Sequence, residues 1–190
     1  QLANFHKKSN DYKLSLDYSQ KAYDYASFNE NLKGKSLALF SQGTTYFELN
    51  KINDALDAFT KSSEFLSSLN PSSELALCYY NIGLCHMETE DYTKAESNFE
   101  KARSIYDKLK IDASELLNLQ KAILYKSKGK IDLARKLLYE IIVKPDIKDV
   151  FKTKAEALYQ LGTIEERYNK NNLAINYLNR ALLLNKVDNN

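Results

Sequence analysis

Residues 79–102, YYNIGLCHMETEDYTKAESNFEKA, set a glycine, Gly83, in the middle of what is otherwise an amphipathic helical pattern. A glycine in a helix interior costs about 1 kcal/mol relative to alanine. The usual beneficiary is a second helix that approaches closely where no side chain stands. If so, the same device should recur wherever the chain makes the same contact, and it does. Aligned on Gly83, the chain brings Ala3, Gly43, Ala122 and Gly162 into one column, at steps of 40, 40, 39 and 40 residues. Twelve residues further on stand Ser15, Ala55, Ala95, Ala134 and Ala174, and seven beyond those Ala22, Ser62, Ala102, Ile141 and Ala181. Self-similarity at a period of 20 to 50 residues marks a solenoid.

Between the first two small columns lie turn signals: LNKIND at 49–54, ETEDY at 88–92, SKGKID at 127–132 and YNKNN at 168–172. Each unit therefore reads as two helices joined by a short turn. Apolar residues recur at helical spacing on both sides of the turn, as in Leu39, Tyr46 and Phe47 before it and Ile52, Leu56 and Phe59 after it, and no strand-like alternation appears. Pro71 and Pro145 fall where a first helix should begin, a position that tolerates a missing N–H. The expected fold is all-α: an α-solenoid of antiparallel helix pairs with nine or ten helices. It is read as one array over 1–190, with repeats at approximately 1–35 (truncated), 36–75, 76–114, 115–154 and 155–190. All five glycines are accounted for by packing and turns. Gly43, Gly83 and Gly162 let the helices of a unit touch, and Gly34 and Gly129 are placed at turns, so none is left to build a phosphate loop.

The pattern resembles the tetratricopeptide repeat family over the whole chain. The carriers are Gly43, Tyr46, Ala55 and Phe59 in the second unit, and Tyr79, Gly83, Tyr92, Ala95, Phe99 and Ala102 in the third. The fourth unit departs at Asn118 and Lys121, and the fifth puts Glu165 in the aromatic column. The resemblance implies a right-handed superhelix whose first helices line a concave surface. The period of about 40 exceeds the family's usual length of roughly 34, and the extra residues are expected to lengthen the second helix and the turn after it.

Composition removes several classes of function. With 27 basic and 25 acidic residues, interspersed, the chain has a net charge of only +2 and lacks the basic footprint of a nucleic-acid binder or a membrane-surface protein. No apolar run approaches the 20 or so residues that cross a bilayer. Cys78 and Cys85 fall in one helix about 10 Å apart and should be free thiols. A soluble chain is expected, cytoplasmic in preference to an extracytoplasmic sensor region.

No catalytic or metal-binding constellation stands out, and no cofactor or metal is expected. Cys85 and His86 are consecutive on a helix and point about 100° apart, so they cannot share a site. His86 and His6 share the column of Tyr46 and Tyr125 and read as packing residues. Glu165 and Glu166 diverge in the same way and read as a solvated face, and KSKGK at 126–130 as a solvated basic turn.

Offsets of −6, −3, −2, +1 and +4 from the glycine column share one arc of a first helix of about 120°. Among them are Phe40, Ser41, Thr44 and Phe47 in the second unit, and Tyr80, Asn81, Leu84 and Met87 in the third. Leu119, Gln120, Ile123 and Lys126 follow in the fourth, and Tyr159, Gln160, Thr163 and Glu166 in the fifth. An apolar and aromatic face of this kind suits a docked segment. The column Ser41, Asn81, Gln120 and Gln160 is polar and uncharged, and an amide both donates to and accepts from peptide backbone. In similar bacterial peptide-pheromone sensors, first-helix amides hold peptide backbone. Family members that bind chaperone tails use a Lys and Asn clamp instead, whereas Phe40 and Thr44 occupy the matching positions here.

The expected function is a non-enzymatic scaffold that takes a protein or extended peptide segment in its concave groove, with no nucleic-acid or membrane contact. The alternative is a sensor or regulatory region of a longer bacterial signalling protein, next to a histidine kinase or a DNA-binding domain. An enzyme such as a regulator-directed phosphatase has no residue set to support it. The absent initiator Met, Ala3 at mid-helix and the apolar ending RALLLN lead to the expectation of flanking domains.

Overall fold

Among the described residues the first helices stop in the same way, and the stop decides where the partner begins. In the computed structural model, which describes residues 11–145 and 151–188, the residue seven past the glycine column is left-handed every time. These are Asn50, Glu90, Gly129 and Asn169, with φ of 57°, 58°, 73° and 59°. The left-handed residue's N–H donates to the carbonyl three back, and the following N–H to the carbonyl five back. Asn50 N reaches Phe47 O at 3.0 Å and Lys51 N reaches Tyr46 O at 2.9 Å, and the pair recurs from Glu90 and Asp91, Gly129 and Lys130, and Asn169 and Lys170. This arrangement satisfies carbonyls that a helix C-terminus would otherwise leave open. Three residues after the left-handed one, the second helix is already under way.

Among the described residues the result is nine α-helices and no strand: α1 Tyr12–Phe28, α2 Leu32–Glu48, α3 Ile52–Ser67, α4 Ser73–Glu88, α5 Tyr92–Leu109, α6 Ser114–Ser127, α7 Ile131–Ile142, α8 Phe151–Arg167 and α9 Asn171–Asp188. The helix expected around Ala3 and His6 lies outside the described residues. Contacts divide the chain into two compact units, Gln1–Asp112 with α1 to α5 and Ala113–Asn190 with α6 to α9. In the first, each helix packs on the next; in the second, α6 packs on α7, α7 on α8 and α8 on α9, and α6 also meets α8. Packing between sequence neighbours joined by tight turns is the α-solenoid of antiparallel helix pairs that the repeat predicted.

The glycines do what their column implies. A Cβ built on Gly43 would stand 2.8 Å from two ring carbons of Phe59, one on Gly83 2.6 Å from Phe99 Cε1, and one on Gly162 2.7 Å from Leu178 Cγ. The intruding residue is always sixteen past the glycine, on the second helix of the same pair. The second column, Ser15, Ala55, Ala95, Ala134 and Ala174, is buried throughout. In the third, Ser62, Ala102, Ile141 and Ala181 are buried and Ala22 is exposed. Serines in these columns are bonded: Ser15 Oγ lies 2.9 Å from Thr45 Oγ1, and Ser62 Oγ 2.8 Å from Ser36 Oγ and 3.2 Å from Cys78 Sγ.

One sequence assignment changes. Gly34 is not in a turn but in the first turn of α2, where its N–H donates to the Asn31 side chain at 2.8 Å and an added Cβ would meet Ala26 Cβ at 2.9 Å. Its role is close approach, like that of the column glycines. Pro71 directly precedes the Ser72 cap of α4, as expected, and the residues between Pro145 and α8, 146–150, lie outside the described ones. Gly129 alone is at a turn, with open space around it. Gly129→Ala is therefore expected to cost about 1–2 kcal/mol through backbone conformation alone, and Gly129→Asn less, as chemical denaturation of the two variants would show.

Candidate functional site

The residues expected to line a binding face are divided between the two units. In the first, α2 carries Phe40, Ser41, Thr44 and Phe47 and α4 carries Tyr80, Asn81, Leu84 and Met87, all half-buried. Their aromatic members rest on the rings that fill the glycine notches: Phe40 meets Phe59 edge-on at 5.4 Å, and Tyr80 meets Phe99 at 5.8 Å. Phe40 and Phe47 also pack against the core cluster around Ala55, Phe59, Ile82 and Cys85. They are walls of the face as much as contacts for a ligand. Lys33 of α2 and Glu74 of α4 form an ion pair at 3.0 Å. Backbone hydrogen bonding at the α4 N-terminus, followed by Lys33, holds the Glu74 carboxyl down at about 2.

In the second unit, α6 and α8 bring Gln120, Ile123, Tyr159, Gln160 and Thr163 to one side. Tyr159 is 49% exposed and the others are half-buried. Leu119, also expected on this face, is 4% exposed and belongs to the core with Ala122, Leu138, Leu158 and Leu161. Its α6 position lets the side chain turn inward, where the shorter helix meets both α7 and α8.

The polar column is less uniform than its composition. Asn81 Nδ2 donates to Leu77 O at 2.8 Å, within its own helix, leaving its carbonyl for other use. Gln160 is engaged at both ends: Nε2 donates to Glu156 Oε1 at 2.7 Å, and Oε1 accepts from Lys126 Nζ at 2.6 Å. Lys126 also donates to Thr163 Oγ1 at 2.8 Å. The reading of 126–130 as a solvated basic turn fails at this first residue, whose half-buried ammonium is bonded across from α6 to α8. Burial lowers its pKa, Glu156 opposes that shift and Arg167 adds to it.

The reading of Glu165 as solvated is also corrected. Glu165 is 1% exposed, with Oε1 accepting from Arg135 Nε at 2.8 Å and Oε2 3.5 Å from Lys170 Nζ, while Glu166 beside it is exposed. Arg135 belongs to α7 and also lies over the Tyr168 ring, 5.0 Å from its centroid. Glu165 shares the column of Tyr46, His86 and Tyr125, which are half-buried, and is buried more deeply than any of them. Its partner, thirty residues back on the preceding helix, left no local signal.

Catalytic chemistry finds little footing among the described residues. Cys78 and Cys85 are free and buried, and burial pushes their thiols up to about 11 and about 12, far from the thiolate needed for nucleophilic attack. His86 is half-buried, and the same effect pushes its pKa down. No group of His, Cys, Asp and Glu with metal-site clustering occurs among the described residues. No helix among them is long and apolar enough to cross a membrane.

Helix pairs locked by a small-residue column, with one side-chain arc of each first helix left available, define a helix-pair repeat scaffold. The tetratricopeptide repeat pattern matches residues 76–109 and 155–188, so the chain carries tetratricopeptide repeats in both units. Protein unc-45 homolog B of Danio rerio is 28% identical over 130 residues, which cover 68% of this chain and 13% of that protein, so the chain spans a small part of that relative. Among solved structures, BtubC (BKLC) from P. vanneervenii superposes with a TM-score of 0.79 at 14% identity, covering 99% of this chain and 78% of that one. The Rap conjugation gene regulator of plasmid pLS20, in complex with the Phr* peptide, gives 0.80 at 16%, covering 98% and 52%. The apo quorum sensor NprR from B. thuringiensis gives 0.75 at 20%, covering 96% and 51%. At these identities the likeness is one of fold.

Proposed function

We propose that the chain is a non-catalytic binding module that holds a protein or extended peptide segment against the first-helix faces within a unit. The observation that carries this reading is the placement of Phe40, Tyr80, Asn81, Gln120, Tyr159 and their neighbours. All lie on one arc of a first helix, beside the glycine notch, and all retain some exposure. Such a face offers apolar anchors flanked by amide groups that fit peptide backbone. The likeness to a regulator solved with a bound peptide supports the reading. The same comparison, with that to a quorum sensor, favours a second one: that the module is the sensing part of a longer signalling protein.

A peptide-library capture followed by calorimetry tests the first reading. Asn81→Ala and Gln120→Ala should each weaken a captured segment by about 1 kcal/mol for the hydrogen bond lost, with melting temperature almost unchanged. Tyr159→Asp should weaken it more and alter which segments are selected. Phe47 is a poorer probe, because its ring also supports the core. Failure to capture any extended segment, or indifference of the captured ones to all three variants, removes the groove from consideration.

A further inference from the structure

Lys21, Lys61 and Lys33 are met by carboxylates, those of Asp17, Asp57 and Glu74. Lys126 is held differently. Its half-buried ammonium donates to two neutral oxygens, Gln160 Oε1 at 2.6 Å and Thr163 Oγ1 at 2.8 Å. Both acceptors are fixed with their lone pairs toward it. The Gln160 amide is oriented by its Nε2 bond to Glu156 Oε1, which forces the carbonyl end to the lysine. The Thr163 hydroxyl spends its proton on Gln160 O at 2.9 Å, which leaves only acceptor capacity for Lys126.

We propose that Lys126, positioned by Gln160 and Thr163, is an oxyanion seat on the α6–α8 face that takes a carboxylate of the segment bound there. This rests on the groove reading above and specifies its ligand: a segment with an acidic group opposite the second unit.

A cation withdrawn from water and bonded to neutral oxygens keeps part of its desolvation cost, and a carboxylate offsets that cost more fully than a neutral acceptor does. Two of the three ammonium N–H groups are used, so a third remains for an incoming oxygen. The charged groups that act on the lysine do not fill that role. Glu156 raises its pKa electrostatically but accepts from the Gln160 amide and not from the ammonium, and Arg167 is of like sign. Burial accordingly lowers the pKa of Lys126, the sign expected of a cation short of a counter-charge. Because the holders are themselves bonded, the seat is formed before ligand arrives, and little ordering remains to be done on binding.

The test uses the full chain and two peptide pools, identical except that every Glu and Asp of the first is Gln and Asn in the second. Each pool is made with free and with amidated C-termini. The wild type should retain the acidic pool about tenfold better than the amide pool. Lys126→Arg should keep that preference, and Lys126→Met and Lys126→Gln should lose it, with circular dichroism melts confirming that both fold. A preference that survives C-terminal amidation assigns the seat to a side-chain carboxylate; one abolished by amidation assigns it to the chain terminus. If the wild type binds both pools equally, or Lys126→Met keeps the preference, the oxyanion seat is overturned and the groove reading stands. If neither pool binds, both are overturned.

Discussion

Gly83→Leu is expected to destabilise the first unit by about 3 kcal/mol, the upper end of what overpacking costs. A Cβ alone would stand 2.6 Å from Phe99 Cε1 and 2.8 Å from Cδ1, and leucine adds three further carbons in the same direction. The Phe99 ring is 4% exposed and backed by Tyr80, so it cannot yield without opening a void elsewhere, and voids carry their own cost. Gly83→Ala should be milder, because the better helix propensity of alanine returns about 1 kcal/mol. Urea denaturation would separate these cases. A Gly83→Leu variant as stable as one carrying leucine at exposed Thr93 would refute the close-approach account.

Arg135→Met should cost the second unit about 3 kcal/mol, because it leaves a buried carboxylate without its main partner. Glu165 would retain only Lys170, whose Nζ stands 3.5 Å from Oε2 without hydrogen-bond geometry. Replacing both partners at once is a different matter. Arg135→Met combined with Glu165→Tyr restores the aromatic residue that Tyr46 and Tyr125 supply in other units, and it removes the charge. The double variant should recover most of the loss, since an apolar pair of similar volume often matches or exceeds a buried ion pair. Denaturation midpoints of the two singles and the double give the coupling directly. A loss below about 1 kcal/mol in Arg135→Met would mean that water or Lys170 already satisfies Glu165.

The parts of this fold that could be read from the chain are those imposed by repetition. The small columns, the turn signals and the large apolar residue sixteen past each column glycine recur because every helix pair solves the same steric problem. Any one unit then vouches for the others. The left-handed stop was equally available, since Asn50, Gly129 and Asn169 are residue types that accept positive φ, but it requires reading the turns as a column of their own. What escaped sequence reasoning was the pairing of particular polar residues between successive repeats. Glu165 with Arg135, and Lys126 with Gln160 and Thr163, join positions 30 to 37 residues apart. Such matches occur in one repeat and not in the next, so periodicity carries no trace of them. Gly34 was misplaced for the related reason that its neighbour, Ala26, lies across a turn on another helix.

The ring of Phe99 has consequences beyond stability. One of its edges closes the notch over Gly83, and Tyr80, on the same helix as that glycine, lies against it. Phe59 stands likewise between Gly43 and Phe40. The residues that grip α5 to α4, and α3 to α2, are therefore the foundations on which the outward-facing aromatics sit. A visitor that reorients Tyr80 or Phe40 must either leave these rings in place or loosen the joint between paired helices. To that extent, occupancy and the stiffness of the hinge are one variable, and a partner that prefers one stance of the rings shifts the joint only by the difference in its affinity for the two stances.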